Sequence, residues 1–412
     1  MVNTIDKVDI TPSTQLPHLE IDPFSESFLA NPFAHHNQLR DIGPVFWLDS
    51  IGTYGVARYK EVTHVLSHHD IFISSRGVGL SDFSKEKPFR PPSLLLEVDP
   101  PLHTRTRELM NKVVALPLLK AMEEEWLAKA KLLVAELIKK DHFDAVTDLA
   151  EKFPMMIFPD AVGLMNESRD HLLTYAAIVF NAFGPRNKVF EDGMAGAAVA
   201  TDWVAQACKR ENLTKDGWGE AVYQSADRGD CTHDEAERLV RSFLSAGVDT
   251  TVNGFSNLIY AFTLHPDQWT KMGVDQSSTR KAFNEGLRWR STVQTFFRTT
   301  SQDTTLGGID IPEGSKILTF LAAANRDDRQ WDNADDFSIN RNASGHVAFG
   351  HGIHACLGQM VARMEAGVLL SAMREKISKI VPDGPPITRL NNTLCSLESL
   401  PVKIERIELY KR

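Results

Sequence analysis

Several things are scarce in this 412-residue sequence. No run of 18 apolar residues occurs, so nothing in it reads as a transmembrane helix. Only four cysteines are present, at 208, 231, 356 and 395, and none forms a Cys-x-x-Cys pair. That spacing excludes a disulfide scaffold and a structural zinc site. Basic residues are outnumbered: 45 Lys and Arg face 54 Asp and Glu, a net charge of −9. An electrostatically driven nucleic-acid binder is therefore not expected. The N-terminal stretch MVNTIDKVDITPSTQLPHLEIDPF carries acids and prolines where a signal peptide needs an apolar core. The expectation is a cytoplasmic chain with no membrane or nucleic-acid partner.

What is there is ordinary globular composition, 42% hydrophobic and 24% charged, in a chain long enough to bury a large core. Residues 1–22 lack periodicity and read as a loose N-terminal arm, and 23–412 read as one large domain. Residues 45–75 alternate like short strands with a helix among them. Residues 76–101, rich in Pro, Gly and large hydrophobes, read as a functional lid. From 102 to about 290 the pattern is helical, with a capping box at Thr232-x-x-Glu235 before one long helix through His265. From 291 to 320 alternation returns, turning at Gly307-Gly308. A helix opening at Cys356 and a strand-like end close the chain. The fold class is mainly α with a minor β region.

The most informative segment is FGHGIHACLG, residues 349–358. Cys356 follows a Gly-punctuated loop at the start of a helix, where the dipole and free amide N–H groups favour thiolate. A soft anionic sulfur so held is a good axial ligand for haem iron. Gly350, Gly352 and Gly358 let the backbone approach a flat macrocycle.

Here the chain resembles the cytochrome P450 family, whose Phe-Gly-x-Gly-x-His-x-Cys-x-Gly signature it matches at Phe349, Gly350, Gly352, His354, Cys356 and Gly358. The resemblance implies that fold, haem b with Cys356 as thiolate ligand to the iron, and monooxygenase activity. Three further motifs follow in family order. Glu285-x-x-Arg288, joined by Arg341, matches the buried ion-pair group that braces the Cys loop. Ala246-Gly247-Val248-Asp249-Thr250-Thr251 matches the oxygen-binding groove beside the haem. There Thr250 can bond back to the Ala246 carbonyl, and Asp249 with Thr250 matches the acid–alcohol pair that delivers protons to dioxygen. His103, Arg107, Arg298 and His354 match the cations that hold the haem propionates. His346 and His351 flank the loop and are not assigned to iron.

No flavin-binding turn or iron–sulfur cysteine cluster is visible, so the resemblance implies a ferredoxin and a flavin-dependent ferredoxin reductase as electron donors. Arg105 and Lys112 are candidate contacts for the ferredoxin.

Within the family, the stretches SSRGVGLSDFSKEKPFRPPSLLLEVDPP, VFNAFGP, LVRSFLSAGVDTTVNG, VQTFFRTT and NNTLCSLESLPVK are similar to those of bacterial 4-methoxybenzoate O-demethylases. The implied substrate is a small aromatic carboxylate, with O2 as co-substrate. Arg90 and Ser93 are expected at its carboxylate, with Lys85 and Lys87 nearby. Ser242, about 80° around an ideal helix from Thr250, flanks the same face, while Arg241, about 180° away, has at most an indirect role, such as capping the pocket. Tyr175 offers a hydroxyl. Phe180, Phe183, Phe296, Leu96, Val293 and Ala246 form an apolar slot. Oxidation of another small aromatic or terpenoid acid, peroxide rearrangement without external electrons, and a haem-based ligand sensor are the rival readings.

Overall fold

The computed structural model describes residues 16–407 except 89, 166 and 167. Most of the expected arm, residues 1–15, lies outside the described residues. The rest of it is not loose. His18–Leu19 pairs in parallel with Phe46–Leu48, and Leu16 and Leu19 are buried, because their side chains complete an apolar cluster at the sheet edge.

That strand begins a six-stranded mixed sheet. Its neighbours in spatial order are Phe46–Leu48, Thr53–Val56, Lys316–Phe320, Thr295–Thr300 and Phe72–Ile73. Strand Thr295–Thr300 pairs antiparallel with Lys316–Phe320, placing Phe296 opposite Thr319 and Arg298 opposite Ile317. Because side chains alternate along a strand, Phe296 and Arg298 share one face while Phe297 packs on the other, stacked near Phe24. The Gly307-Gly308 turn joins Thr304–Leu306 to Ile309–Ile311, and both glycines have positive φ.

Helices supply the bulk of the core, as expected for residues 102–290, with one short strand, His142–Asp144, among them. Those that build the site are α1 (Leu102–Val113), α2 (His171–Asn181), α3 (His233–Ala246), α4 (Asp249–Leu264), α5 (Gln276–Trp289) and α6 (Gln359–Arg374). Helix α3 starts on the expected capping box: Glu235 N–H donates to Thr232 Oγ1 (3.1 Å) and Thr232 N–H to Glu235 Oε2 (2.9 Å). Its buried stripe, Ala236, Leu239, Val240, Phe243 and Leu244, follows helical spacing.

The expected long helix is in fact two. Helix α3 ends at Ala246, and α4 begins at Asp249 after a break at Gly247-Val248. A Cβ on Gly247 would lie 1.9 Å from Cζ of Phe158, so that ring occupies the space a side chain would need. The expected lid, residues 76–101, has no regular element but is tied down. Ser74 and Ser75 N–H groups donate to Asp99, Thr106 Oγ1 donates to the Leu94 carbonyl, and Arg76 pairs with Asp82. No helix among the described residues is long and apolar enough to cross a membrane.

Candidate active site

Helix α6 begins at Gln359, three residues later than expected, with Gly358 at its N-cap. Cys356 therefore precedes the helix, on a loop closed by its own backbone. Cys356 N–H donates to the Phe349 carbonyl (2.7 Å), Ala355 N–H to Gly352 (3.1 Å) and Gly350 N–H to Val347 (2.9 Å). Gly352 has φ +69°, and a Cβ there would meet the Leu66 carbonyl oxygen at 2.4 Å, so only glycine fits. Cys356 is exposed, but to an internal cavity that it lines. Cys208, Cys231 and Cys395 are buried and do not line it.

Burial pushes the Cys356 thiol up. The Gly358 and Gln359 amides and the Arg107 and Arg363 guanidiniums oppose this without reversing it. The dipole argument alone therefore does not make a thiolate; a metal cation bound at the sulfur would supply the rest.

The bracing group is assembled as the motifs imply. Glu285 and Arg288 have no exposed surface, and Arg288 grips the carboxylate with Nε (2.7 Å) and Nη2 (2.8 Å) while Arg341 Nε reaches it at 3.2 Å. Arg288 also donates to the carbonyls of Asn325, Ala334 and Asp336. Asn325 in turn accepts the Val347 N–H through Oδ1 (2.7 Å), which carries the brace to the Cys loop.

The four cations divide. Arg298 lines the cavity at 4% exposure, with a protein bond only to the Phe297 carbonyl, and burial pushes it down to about 10. His354 lines the cavity and donates or accepts through Nδ1 at the Leu95 carbonyl (3.0 Å). His103 does not line the cavity but lies against His354, ring centroids 4.3 Å apart, and the Nε2 atoms of both are buried without a partner. Burial, Arg298 and His103 push His354 down to about 3. Arg107 lines the cavity, yet its Nη1 is spent on the Ala355 carbonyl (2.6 Å), so it steadies the Cys loop as well. Buried unsatisfied donors are costly, and orphaned imidazole nitrogens beside a buried guanidinium fit the carboxylates of a haem. Phe349, Gly350 and Gly358 line the same cavity, and a Cβ at Gly358 would lie 3.9 Å from Cys356 Sγ.

On the opposite wall Thr250 Oγ1 donates to the Ala246 carbonyl at 2.8 Å, as expected. Thr250 and Ala246 line the cavity. Asp249 does not: it is fully buried, paired with Arg389 (2.8 Å) and bonded by Asn253 Nδ2, with its Oδ2 unpartnered.

The slot also forms. Phe180 and Phe183 meet edge to face (5.7 Å, 88°), Phe183 and Phe296 at 5.6 Å and 67°, and Leu96 and Val293 line the same space. Ser93 and Ser242 reach it too. The remaining candidates differ in where they lie. Tyr175 is buried but not at the cavity, since helix α2 turns it toward α3. Arg241 lines the cavity, where it can cap the pocket. Arg90 lines the cavity but is already paired with the buried Glu97 (2.9 Å). Lys85 and Lys87 are exposed and do not line it. Arg105, expected to be free for a ferredoxin, is tied to Glu235 and to the Asp230 carbonyl; Lys112 is exposed.

Comparison with known proteins agrees with this geometry. The Cytochrome P450 family model matches residues 277–406. The chain is 48% identical over 390 residues to cytochrome p450 CYP199A2 of Rhodopseudomonas palustris, covering 94% of this chain and 95% of that one. It is 28% identical over 407 residues to the putative cytochrome P450 123 of Mycobacterium tuberculosis, covering 94% and 98%. The solved structure of CYP109Q5 from Chondromyces apiculatus superimposes with a TM-score of 0.78 at 28% identity, covering 94% and 98%. With a near full-length relative at that identity and a cavity built around one thiol, the chain belongs to the cytochrome P450 family of haem-thiolate monooxygenases.

Proposed function

We propose that the enzyme oxidises small para-substituted aromatic carboxylates in the cytoplasm, O-demethylating 4-methoxybenzoate to 4-hydroxybenzoate and formaldehyde. The observation that carries this reading is the shape of the cavity. Three phenylalanines pack edge to face along an apolar slot whose lining also holds Cys356 and the donors Arg90, Arg241, Ser93 and Ser242. A buried carboxylate needs such donors, and a flat ring anchored there directs its para substituent toward the sulfur.

Cys356 is the proposed iron ligand; Arg298, His354 and Arg107, which line the cavity, would hold the propionates, with His103 packed behind His354. When bound, the haem supplies reductive activation of O2 with two electrons and two protons. One oxygen atom enters the methyl C–H bond and the other leaves as water. The product Ar–O–CH2OH then breaks its O–CH2 bond to give the phenol and formaldehyde. The chain's own residues bind, orient and exclude water. Thr250 holds a hydroxyl at the break in the helix, and Asp249 stands behind it as the acid end of a proton path. Electrons come from a ferredoxin and its flavin-dependent reductase; exposed Lys112, one turn beyond the Arg107 that bonds the Cys loop, is the proposed contact.

Spectral titration of the purified holoenzyme with para-substituted benzoates tests the reading. 4-Methoxybenzoate should displace iron-bound water and, with ferredoxin and reductase, yield one formaldehyde per 4-hydroxybenzoate. No spectral response to any para-substituted benzoate would overturn it. Cys356 is tested by its Ser variant, which should lose the thiolate signature of the reduced, carbon-monoxide-bound protein.

A further inference from the structure

Lys316 begins the strand beside Thr295–Thr300 and does not line the cavity. Its Nζ donates to three backbone carbonyls on the lid, those of Gly77 (2.7 Å), Gly79 (3.0 Å) and Arg76 (3.1 Å). An ammonium has three hydrogens and no acceptor, so three carbonyls saturate it. The carbonyl left over in this stretch, Val78, accepts the Phe297 N–H at 2.9 Å. Gly77, Val78 and Gly79 are buried, so water is a poor substitute partner.

The pinned stretch grips the slot. Leu80 N–H donates to the Phe183 carbonyl at 2.7 Å, and a Cβ on Gly79 would lie 2.7 Å from the Phe183 Cα and carbonyl oxygen. The other side of this wall is held separately. Asn392 Nδ2 donates to the Asn181 and Pro185 carbonyls, and Thr393 Oγ1 to the Phe180 carbonyl (2.8 Å). Phe183 thus stands between a clamp from the C-terminal hairpin, which is strands Ile387–Arg389 and Ser396–Ser399 with the turn between them, and a lid segment fixed by one ammonium.

We propose that Lys316 is a positioning residue for substrate selection, fixing the Arg76–Gly79 backbone so that Phe183 keeps the slot narrow. This rests on the reading of Phe183 as a substrate wall. Removing the ammonium leaves the Gly77 and Gly79 carbonyls unsatisfied, while Arg76 keeps the Phe83 N–H (3.1 Å), and it frees the segment to retreat, which widens the slot without touching the iron site.

The test compares wild type, Lys316→Met and Lys316→Gln as holoenzymes, with Gly79→Ala as a second disturbance of the same wall. Each is titrated spectrally with 4- and 3-methoxybenzoate, and with the iron ligands imidazole and 4-phenylimidazole. Lys316→Met is expected to keep the thiolate signature and wild-type imidazole affinity. Its preference for the para over the meta acid should fall about tenfold, with Lys316→Gln between. Its preference for imidazole against the bulkier phenyl ligand should shift in favour of the bulkier one. An unchanged para/meta and imidazole/phenylimidazole ratio in Lys316→Met would overturn the proposal. If Lys316→Met does not fold, unchanged ratios in Lys316→Gln and Gly79→Ala do the same. If benzoates do not bind wild type, the substrate reading falls while the imidazole pair still reports slot width.

Discussion

Arg389, on the C-terminal hairpin, donates through Nη2 to Oδ1 of Asp249, 140 residues earlier, at 2.8 Å. The carboxylate is fully buried and the arginine side chain is 32% exposed, so the pair runs from the helix break toward the surface. Removing one partner of such a pair leaves a buried charge uncompensated, at a cost of about 3 kcal/mol or more. Arg389→Met should lower the melting temperature by several degrees, read by circular dichroism. It should also slow product formation more than it weakens substrate binding, since Asp249 does not line the cavity.

Thr250 has its hydroxyl bonded back to Ala246, so Thr250→Ala removes a group without opening a large cavity. Product formed per electron consumed should fall at least threefold, and peroxide release should rise to match, measured against reduced-cofactor oxidation. Unchanged coupling would remove Thr250 from proton delivery.

Glu285 is the counter-charge to Arg288 and Arg341. Glu285→Gln leaves the Arg288 guanidinium buried without an anion, which costs about 3–5 kcal/mol. The variant should unfold at lower temperature and lose its haem absorbance on gel filtration while wild type keeps it.

Arg90 shares its charge between Glu97 and the cavity. A charge-assisted bond contributes about 1.5–3 kcal/mol, so Arg90→Ala should weaken 4-methoxybenzoate binding about tenfold or more. The double variant Arg90→Ala/Glu97→Gln, which spares Glu97 an unpaired charge, should show the same loss. The neutral methyl ester should bind wild type poorly; equal affinity for acid and ester would remove the carboxylate anchor.

Burial pushes Lys316 down to about 7; Asp82 and Glu97 oppose this, while Arg76 and Arg298 add to it. Below about pH 7 the ammonium donates to all three lid carbonyls; between about pH 7 and 10 the unfolded chain holds a proton that the folded chain has shed, and the folded amine keeps two hydrogens for those carbonyls. Stability therefore rises with pH through that window. Chemical unfolding at pH 7, 8 and 9 should show the wild type gaining relative to Lys316→Met with each step; parallel curves would reject the shift.

The Cys loop was legible because its chemistry is local: glycines, the thiol and the helix start lie within ten residues. The aromatic slot was legible only through the family resemblance, since each phenylalanine by itself reads as ordinary core, whereas Ser242 followed from helical spacing to Thr250. Arg389, Glu97, Lys316 and Asn392 were not. Each acts through contacts between segments that periodicity does not bring together, and a charged residue reads as solvated surface until its partner is seen. Tyr175 shows the complementary failure: an aromatic on an apolar helix has several buried faces to turn toward, and spacing does not choose among them.

That break has its own consequence. The gap left by the missing Gly247 side chain is filled by the Phe158 ring rather than by solvent. A side chain at Gly247 could not coexist with that ring, so the break between α3 and α4 is built from glycine and packing and needs no ligand to open it. The recess is a standing feature of the resting protein, and its cost was settled when the chain folded.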